Sequence, residues 1–336
     1  MAIWGNSVLM RLGYPAEQKK KGGMAMIRIF RTIDDSIHQI NEVSEGCWVA
    51  LTAPQATELL EIANAYNIDI DHLRAPLDEE ERSRIEFEDN YTLIIVDIPV
   101  TEQRKGQEHF ITIPCGIILT DDKIFTVCLE DTPILSVFMD GRVRNFWTYK
   151  KTRFILQILY RNASMYLQYL RVIDRKSDEV EKRLHVSQQN KELIQILELE
   201  KSLVYFTTSL RSNEMVLEKM LKSESVKRYP EDEELLEDVI IENKQAIEMA
   251  NIYSNILSET MNGYSSVISN NLNVVMKMLS IITIVMSIPT IIGGLWGMNV
   301  NGIPFHNHPQ GFMIVLFITI VVTLIGGIIL GKSKLF

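Results

Sequence analysis

Between Met278 and Gly331 the chain carries no Asp, Glu, Lys or Arg. With 23% charged residues overall, a run of that length arises by chance on the order of once in a million. Two stretches inside it, Leu279–Leu295 and Phe312–Leu330, each have the roughly 17–20 residues that cross a bilayer core as a helix. Such a run excludes a purely soluble chain and an intrinsically disordered one. It has room for two spans, which argues against a multi-span carrier. The loop at 298–311 is too short to hold a domain, so both ends of this hairpin lie on one side. Lys277 precedes the first span, Lys332 and Lys334 follow the second in a basic tail at 331–336, and the loop holds no basic residue. The positive-inside rule then places both termini on the cytoplasmic side of the cytoplasmic membrane.

The rest of the chain reads as cytosolic and acidic. The whole sequence has 34 basic and 43 acidic residues, a net charge of −9, which disfavours a nucleic-acid partner. Residues 1–23 contain no apolar run suited to a signal peptide. Lys19-Lys20-Lys21-Gly22-Gly23 before Met24 and Met26 has two readings: a mis-called start followed by true initiation at Met24 or Met26, or a short disordered basic tail. Cys47, Cys115 and Cys128 are too scattered for a zinc site and read as thiols in a reducing compartment.

Residues 24–133 read as an α+β domain. Ile27–Ile33, Trp48–Leu51, Tyr91–Ile98, Phe110–Leu119 and Lys123–Leu129 have strand composition, with Asp121-Asp122 as a hairpin turn. Pro54–Tyr66 reads as a helix with Thr52 as its N-cap, and Asp71–Leu77 as a shorter one. Past Pro133 the period changes. In 134–222 the segments Asn145–Leu184 and Asn190–Leu221 carry apolar residues at helical spacing and read as a long antiparallel pair. Ser223–Pro230 is a break. From 231 to 297 the helical pattern has no convincing stop, which at 1.5 Å per residue is roughly 100 Å of helix running from the soluble part into the membrane.

The first span carries a second pattern. Asn273, Met276, Ser280, Thr283, Ser287, Thr290 and Gly294 recur at alternating steps of three and four, one seam of a helix. The seam is small and polar, while the other faces are Ile, Val, Leu and Met. Two readings stand: a helix–helix contact made of small residues, or the wall of a water-filled path, which needs several copies of the chain. Pro289 removes one backbone donor within the span.

The loop opens Trp296-Gly297-Met298-Asn299. Upstream stand Ser269-Asn270-Asn271-Leu272-Asn273, Val275-Met276-Lys277 and Pro289-Thr290. On these residues the chain resembles the CorA family of magnesium and cobalt transport proteins. Arg84-Ile85-Glu86-Phe87 through Tyr91 is the best match in the N-terminal domain. The resemblance implies a homopentameric funnel whose first spans surround the pore. It further implies that Gly297, Met298 and Asn299 form the outer ion filter. The physics agrees. Mg²⁺ sheds water reluctantly, and a ring of amide and backbone oxygens holds the hydrated ion through its waters. Two departures from the family stand out. The loop lacks the acidic residues that relatives often carry and has His306 and His308 instead. These read as solvated loop residues or as ligands favouring Co²⁺, Ni²⁺ or Zn²⁺. Asn262 stands where relatives commonly have Asp.

Glu231, Asp232, Glu233, Glu234, Glu237, Asp238 and Glu242 crowd one helix start, and Glu86, Glu88 and Asp89 form a second acidic group. They read as solvated faces or, by the resemblance, as a regulatory Mg²⁺ site. In that reading Asp238, near Glu242, stands where the family has a stalk aspartate. Asp89 or Glu88 of the next subunit completes the site, so that bound Mg²⁺ holds the assembly closed.

The expected function is a passive Mg²⁺ channel, also passing Co²⁺ and Ni²⁺, gated by intracellular Mg²⁺, with no organic cofactor. The alternatives are a zinc or nickel transporter of the same superfamily, and a membrane-anchored sensor that conducts nothing. No nucleophile motif or phosphate-binding glycine loop is found, so an enzyme is not expected.

Overall fold

The strand at the centre of the soluble part is buried on both faces. Leu93, Ile94, Ile95 and Val96 are all without solvent exposure, which alternation allows only if each face of the sheet is covered. The computed structural model describes residues 26–104, 107–187, 190–222, 229–298, 300, 302–305 and 308–332. The chain divides into two units, Met1–Glu259 and Thr260–Phe336.

In the first unit the strands are β1 (Met26–Ile33), β2 (Ser36–Ile40), β3 (Trp48–Thr52), β4 (Arg84–Phe87), β5 (Tyr91–Arg104), β6 (Gln107–Thr120) and β7 (Ile124–Cys128). They form one sheet in the order β2-β1-β3-β7-β6-β5-β4. Among the described residues, only β3 and β7 pair in parallel. The helices are α1 (Ala56–Tyr66), α2 (Ile70–Arg74), α3 (Pro133–Met139), α4 (Lys151–Ser187), α5 (Asn190–Lys222) and the first part of α6 (Pro230–Trp296). A 3₁₀ turn at Ala75–Leu77 follows α2. The second unit holds the rest of α6 and α7 (Gly311–Lys332).

Alternation sorts the sheet into two cores. Ile94, Val96 and Ile98 of β5 join Trp48, Ile117, Phe154, Ile158 and Val239 on the face covered by α3, α4, α5 and α6. Leu93, Ile95, Val49, Leu51 and Phe125 join Leu59, Ile62 and Leu73 under α1 and α2. Trp48 anchors the first core. Its ring meets Phe154 edge-on at 5.0 Å, and its Nε1 donates to Thr126 Oγ1 at 2.9 Å. A polar staple fastens the long helices to β5. Asn162 Nδ2 of α4 and Asn213 Nδ2 of α5 each donate to the Asp97 carbonyl at 2.8 Å, and Tyr166 OH donates to it at 3.2 Å. The Asp97 carboxyl is pushed up from the usual range by burial, partly offset by hydrogen bonds from Ser209 and Ser83.

Several local expectations need correction. Thr52 is the last residue of β3, paired with Met26 and Cys128, and not a helix cap. Helix α1 begins at Ala56 behind Gln55, whose N–H donates to Glu58 Oε2 at 2.7 Å in a capping box. Ala53, with φ 45°, breaks the chain between them. Helix α4 starts at Lys151 rather than near Asn145, because Asn145 sits in the left-handed region (φ 53°). The unforeseen α3 has Pro133 in its first turn and the Thr132 side chain accepting from Ile134 N–H at 3.2 Å.

Candidate functional site

Within the second unit, α6 carries the seam residues Asn273, Met276, Ser280, Thr283, Ser287, Thr290 and Gly294, all exposed or half-buried. A hydroxyl inside an apolar helix must spend its hydrogen somewhere, and the helix's own carbonyls are nearest. Ser280 donates to Met276 O at 2.8 Å, Thr283 to Leu279 O at 2.8 Å, Ser287 to Ile284 O at 2.7 Å and Thr290 to Met286 O at 3.2 Å. Each donor is consumed within α6. What remains along the seam is a column of acceptor lone pairs, the polarity that attracts cations and water hydrogens. Pro289 lies within the helix and leaves the Val285 carbonyl without its helical donor, on the side of α6 away from the seam.

Helix α7 packs elsewhere on α6. A Cβ at Gly326 would meet Ile288 Cδ1 at 2.9 Å, and one at Gly327 would meet Val285 Cγ2 at 3.7 Å. At about 100° per residue, Val285 and Ile288 project more than a quarter-turn away from the line of Ser280, Thr283, Ser287 and Gly294. Gly326 and Gly327 of α7 thus lie against Ile288 and Val285, off the line of the α6 seam. Both helices are long and apolar enough to cross a membrane, with those windows unburied within the chain. Leu279, Met286, Ile291, Phe312 and Phe317 are all exposed. Lipid satisfies such a surface and water does not.

Helix α6 stops at the motif. Gly297 N–H still donates to Gly293 O at 2.9 Å, and Met298 N–H reaches Leu295 O at 3.4 Å. Met298 is exposed. Trp296 Nε1 donates to Pro304 O at 3.1 Å and ties the loop back to the helix end. Gly311 is required by space, since a Cβ there would lie 2.1 Å from the Phe305 carbonyl oxygen. Asn299 and His306 lie outside the described residues, as do the leader before Met26 and Lys334. His308 is exposed, and its Nδ1 accepts from Gln310 N–H at 3.2 Å.

In the first unit, Glu88 and Asp89 are exposed at the turn from β4 to β5, closed by Glu88 N–H donating to Tyr91 O at 2.9 Å. They line a cleft of about 890 Å³ with Asp121, Arg153, Glu231 and Asp232. Asp232 is buried. Burial raises its carboxyl pKa, and Arg153, with Nη1 at 3.4 Å, draws it back. Asp238 and Glu242 do not line this cleft. Asp238 is exposed on α6, and Glu242 is half-buried and accepts from Ser164 Oγ at 3.2 Å. Within one chain, then, Glu88 and Asp89 face the start of α6, one to two turns short of Asp238. Sequence reasoning missed the Arg153–Asp232 pair and the approach of His72 to Glu86. Both join residues far apart in the chain, and neither leaves a periodic signal.

The comparisons with known proteins agree with this architecture. A family model described as CorA-like Mg²⁺ transporter protein matches residues 43–332. A cobalt/magnesium transport protein CorA from Methanocaldococcus jannaschii is 28% identical over 295 residues, covering 85% of this chain and 90% of its own. Another of the same description, from Thermotoga maritima, is 24% identical over 316 residues, covering 91% of this chain and 88% of its own. The complete structure of the CorA magnesium transporter from Methanocaldococcus jannaschii matches with a TM-score of 0.78 at 24% identity, over 94% of this chain and 100% of that one. The family match takes in strands β3 to β7 and the two apolar helices, and the chain belongs to the family of CorA-like Mg²⁺ transporter proteins.

Proposed function

We propose that this chain is a passive channel for Mg²⁺, also passing Co²⁺ and Ni²⁺, assembled as a homopentamer in the cytoplasmic membrane with both termini inside. The observation that carries the reading is the seam of α6. Its hydroxyl hydrogens are all spent on the helix's own carbonyls, and it lies away from the α7 contact. One helix encloses nothing, so five copies supply the wall. Gly297, Met298 and Asn299 form the entrance ring, where carbonyl oxygens hold the ion through its water shell. Two charges crossing a 100 mV inside-negative potential release roughly 4.6 kcal/mol, enough to drive uptake without ATP. Exposed Ile241, Ile252 and Ile256 on α6 give the soluble unit apolar surface for neighbouring copies.

Gating follows from charge. Asp238, with Glu242 one turn on, faces Asp89 or Glu88 of the neighbouring subunit. Internal Mg²⁺ bridging these carboxylates holds the closed state, and its loss releases their repulsion. The reading is tested by thiol labelling, for which the native Cys47, Cys115 and Cys128 are a silent background because all three are buried. Thr290→Cys on the seam is expected to react with a water-soluble reagent and lose Mg²⁺ flux as it does. Val285→Cys, on the α7 contact, is expected to stay unmodified. Equal labelling of both positions contradicts a water-filled seam.

A further inference from the structure

The turn after β4 holds three metal-type ligands from two elements. His72 of α2, Glu86 of β4 and Glu88 each offer a ligand atom, all within 4.8 Å of one another. His72 Nε2 and Glu86 Oε2 are 3.2 Å apart. Two ligands each about 2.0–2.2 Å from a tetrahedral Zn²⁺ stand about 3.4 Å apart, so this pair already has coordination spacing. Glu88 is exposed and closes the remaining gap by a side-chain rotation.

We propose that His72, Glu86 and Glu88 form a binding site, contained within one chain, for a borderline transition-metal cation of the Zn²⁺ or Ni²⁺ type. The surroundings prepare it. His72 Nδ1 meets Tyr91 OH at 2.8 Å, and that hydroxyl is itself fixed by Asp69 N–H at 3.1 Å. Where a cation takes the place of the proton between His72 Nε2 and Glu86 Oε2, the ring's remaining proton sits on Nδ1 and donates to Tyr91 OH. This is the arrangement in which an outer partner orients a ligating imidazole. Arg84 Nε bonds Glu86 Oε1 at 2.6 Å. That contact fixes the Glu86 side chain and leaves Oε2 for the cation. An imidazole nitrogen suits Zn²⁺ and Ni²⁺ and is a poor exchange for water on Mg²⁺. The inference goes beyond the proposed transport and stands without it. If Glu88 is engaged here, Asp89 remains as the partner of Asp238.

The test uses full-length protein in detergent, stripped of metal and titrated calorimetrically with Zn²⁺ in excess Mg²⁺. A His306→Ala, His308→Ala background removes the loop imidazoles. One Zn²⁺ per chain is expected, with X-ray absorption showing one imidazole nitrogen at about 2.0–2.1 Å. His72→Gln should abolish this binding, and Tyr91→Phe should weaken it about 10–100-fold. If His72→Gln fails to fold, Glu88→Gln at the exposed turn takes its place and should also lose the site. Unchanged Zn²⁺ binding in a folded His72→Gln or Glu88→Gln protein overturns the proposal. So does an all-oxygen shell, or no Zn²⁺ uptake in the presence of Mg²⁺.

Discussion

The Thr283 hydroxyl donates to the Leu279 carbonyl at 2.8 Å, so its oxygen presents only acceptor lone pairs to whatever lies beside α6. Thr319 on α7 makes the same kind of bond, to Val315 O at 2.8 Å. The two threonines are alike in local chemistry and differ in the helix that carries them. Thr283→Val should lower Mg²⁺ flux by about fivefold, the effect of losing about 1 kcal/mol of polar contact. Thr319→Val should leave flux near wild type. The pair is read by dye-reported uptake into liposomes.

Gly311 against Phe305 tests the loop. An added methyl would press on a backbone carbonyl that cannot rotate away. Gly311→Ala should therefore cost about 1–3 kcal/mol, seen as a lower melting temperature of the detergent-solubilised protein. Gly326→Ala meets only the flexible end of Ile288, and its loss should be smaller.

Asp97 gives a pH dependence with a definite sign. Burial raises its folded pKa above the ordinary value of 3.8, so the folded state holds this proton more tightly than the unfolded one. Its contribution is best below 3.8 and is lost as pH climbs through the raised folded value. Asp97→Asn keeps the shape and removes the charge. The variant should gain on wild type as pH rises from acid toward neutral, measured by paired thermal melts. A constant difference across that range contradicts the argument.

Asp238 is exposed on α6 and tests the gate. Asp238→Lys places a positive charge where the regulatory Mg²⁺ is proposed to sit. Inhibition of currents by internal Mg²⁺ should weaken at least tenfold, a change of about 1.4 kcal/mol. Unaltered inhibition would remove Asp238 from the site.

Much of the fold was legible because burial leaves a periodic trace. β3, β5 and β7 are runs of β-branched and aromatic residues, and the long helices carry apolar residues every three or four positions. β2 and β4 left little trace. Ser36–Ile40 is a short edge strand, mostly exposed, and Arg84–Phe87 has only four residues. The seam of α6 was legible as spacing, but its separation from the α7 contact was not, because that depends on where Gly326 and Gly327 land. Asp238 and Glu88 were singled out by composition and resemblance, as a proposed site. His72 escaped, since nothing in its own helix marks it, and only the return of β4 brings Glu86 to 3.2 Å.

The most direct measurement is Mg²⁺ influx into liposomes that carry the purified protein and a Mg²⁺-sensitive dye, with wild type beside Asn299→Ala and with Zn²⁺, Co²⁺ and Ni²⁺ as parallel ions. The account predicts Mg²⁺ influx in wild type that Asn299→Ala abolishes. Flux of Zn²⁺ or Ni²⁺ without Mg²⁺, or silence for every ion at low luminal Mg²⁺, would contradict it.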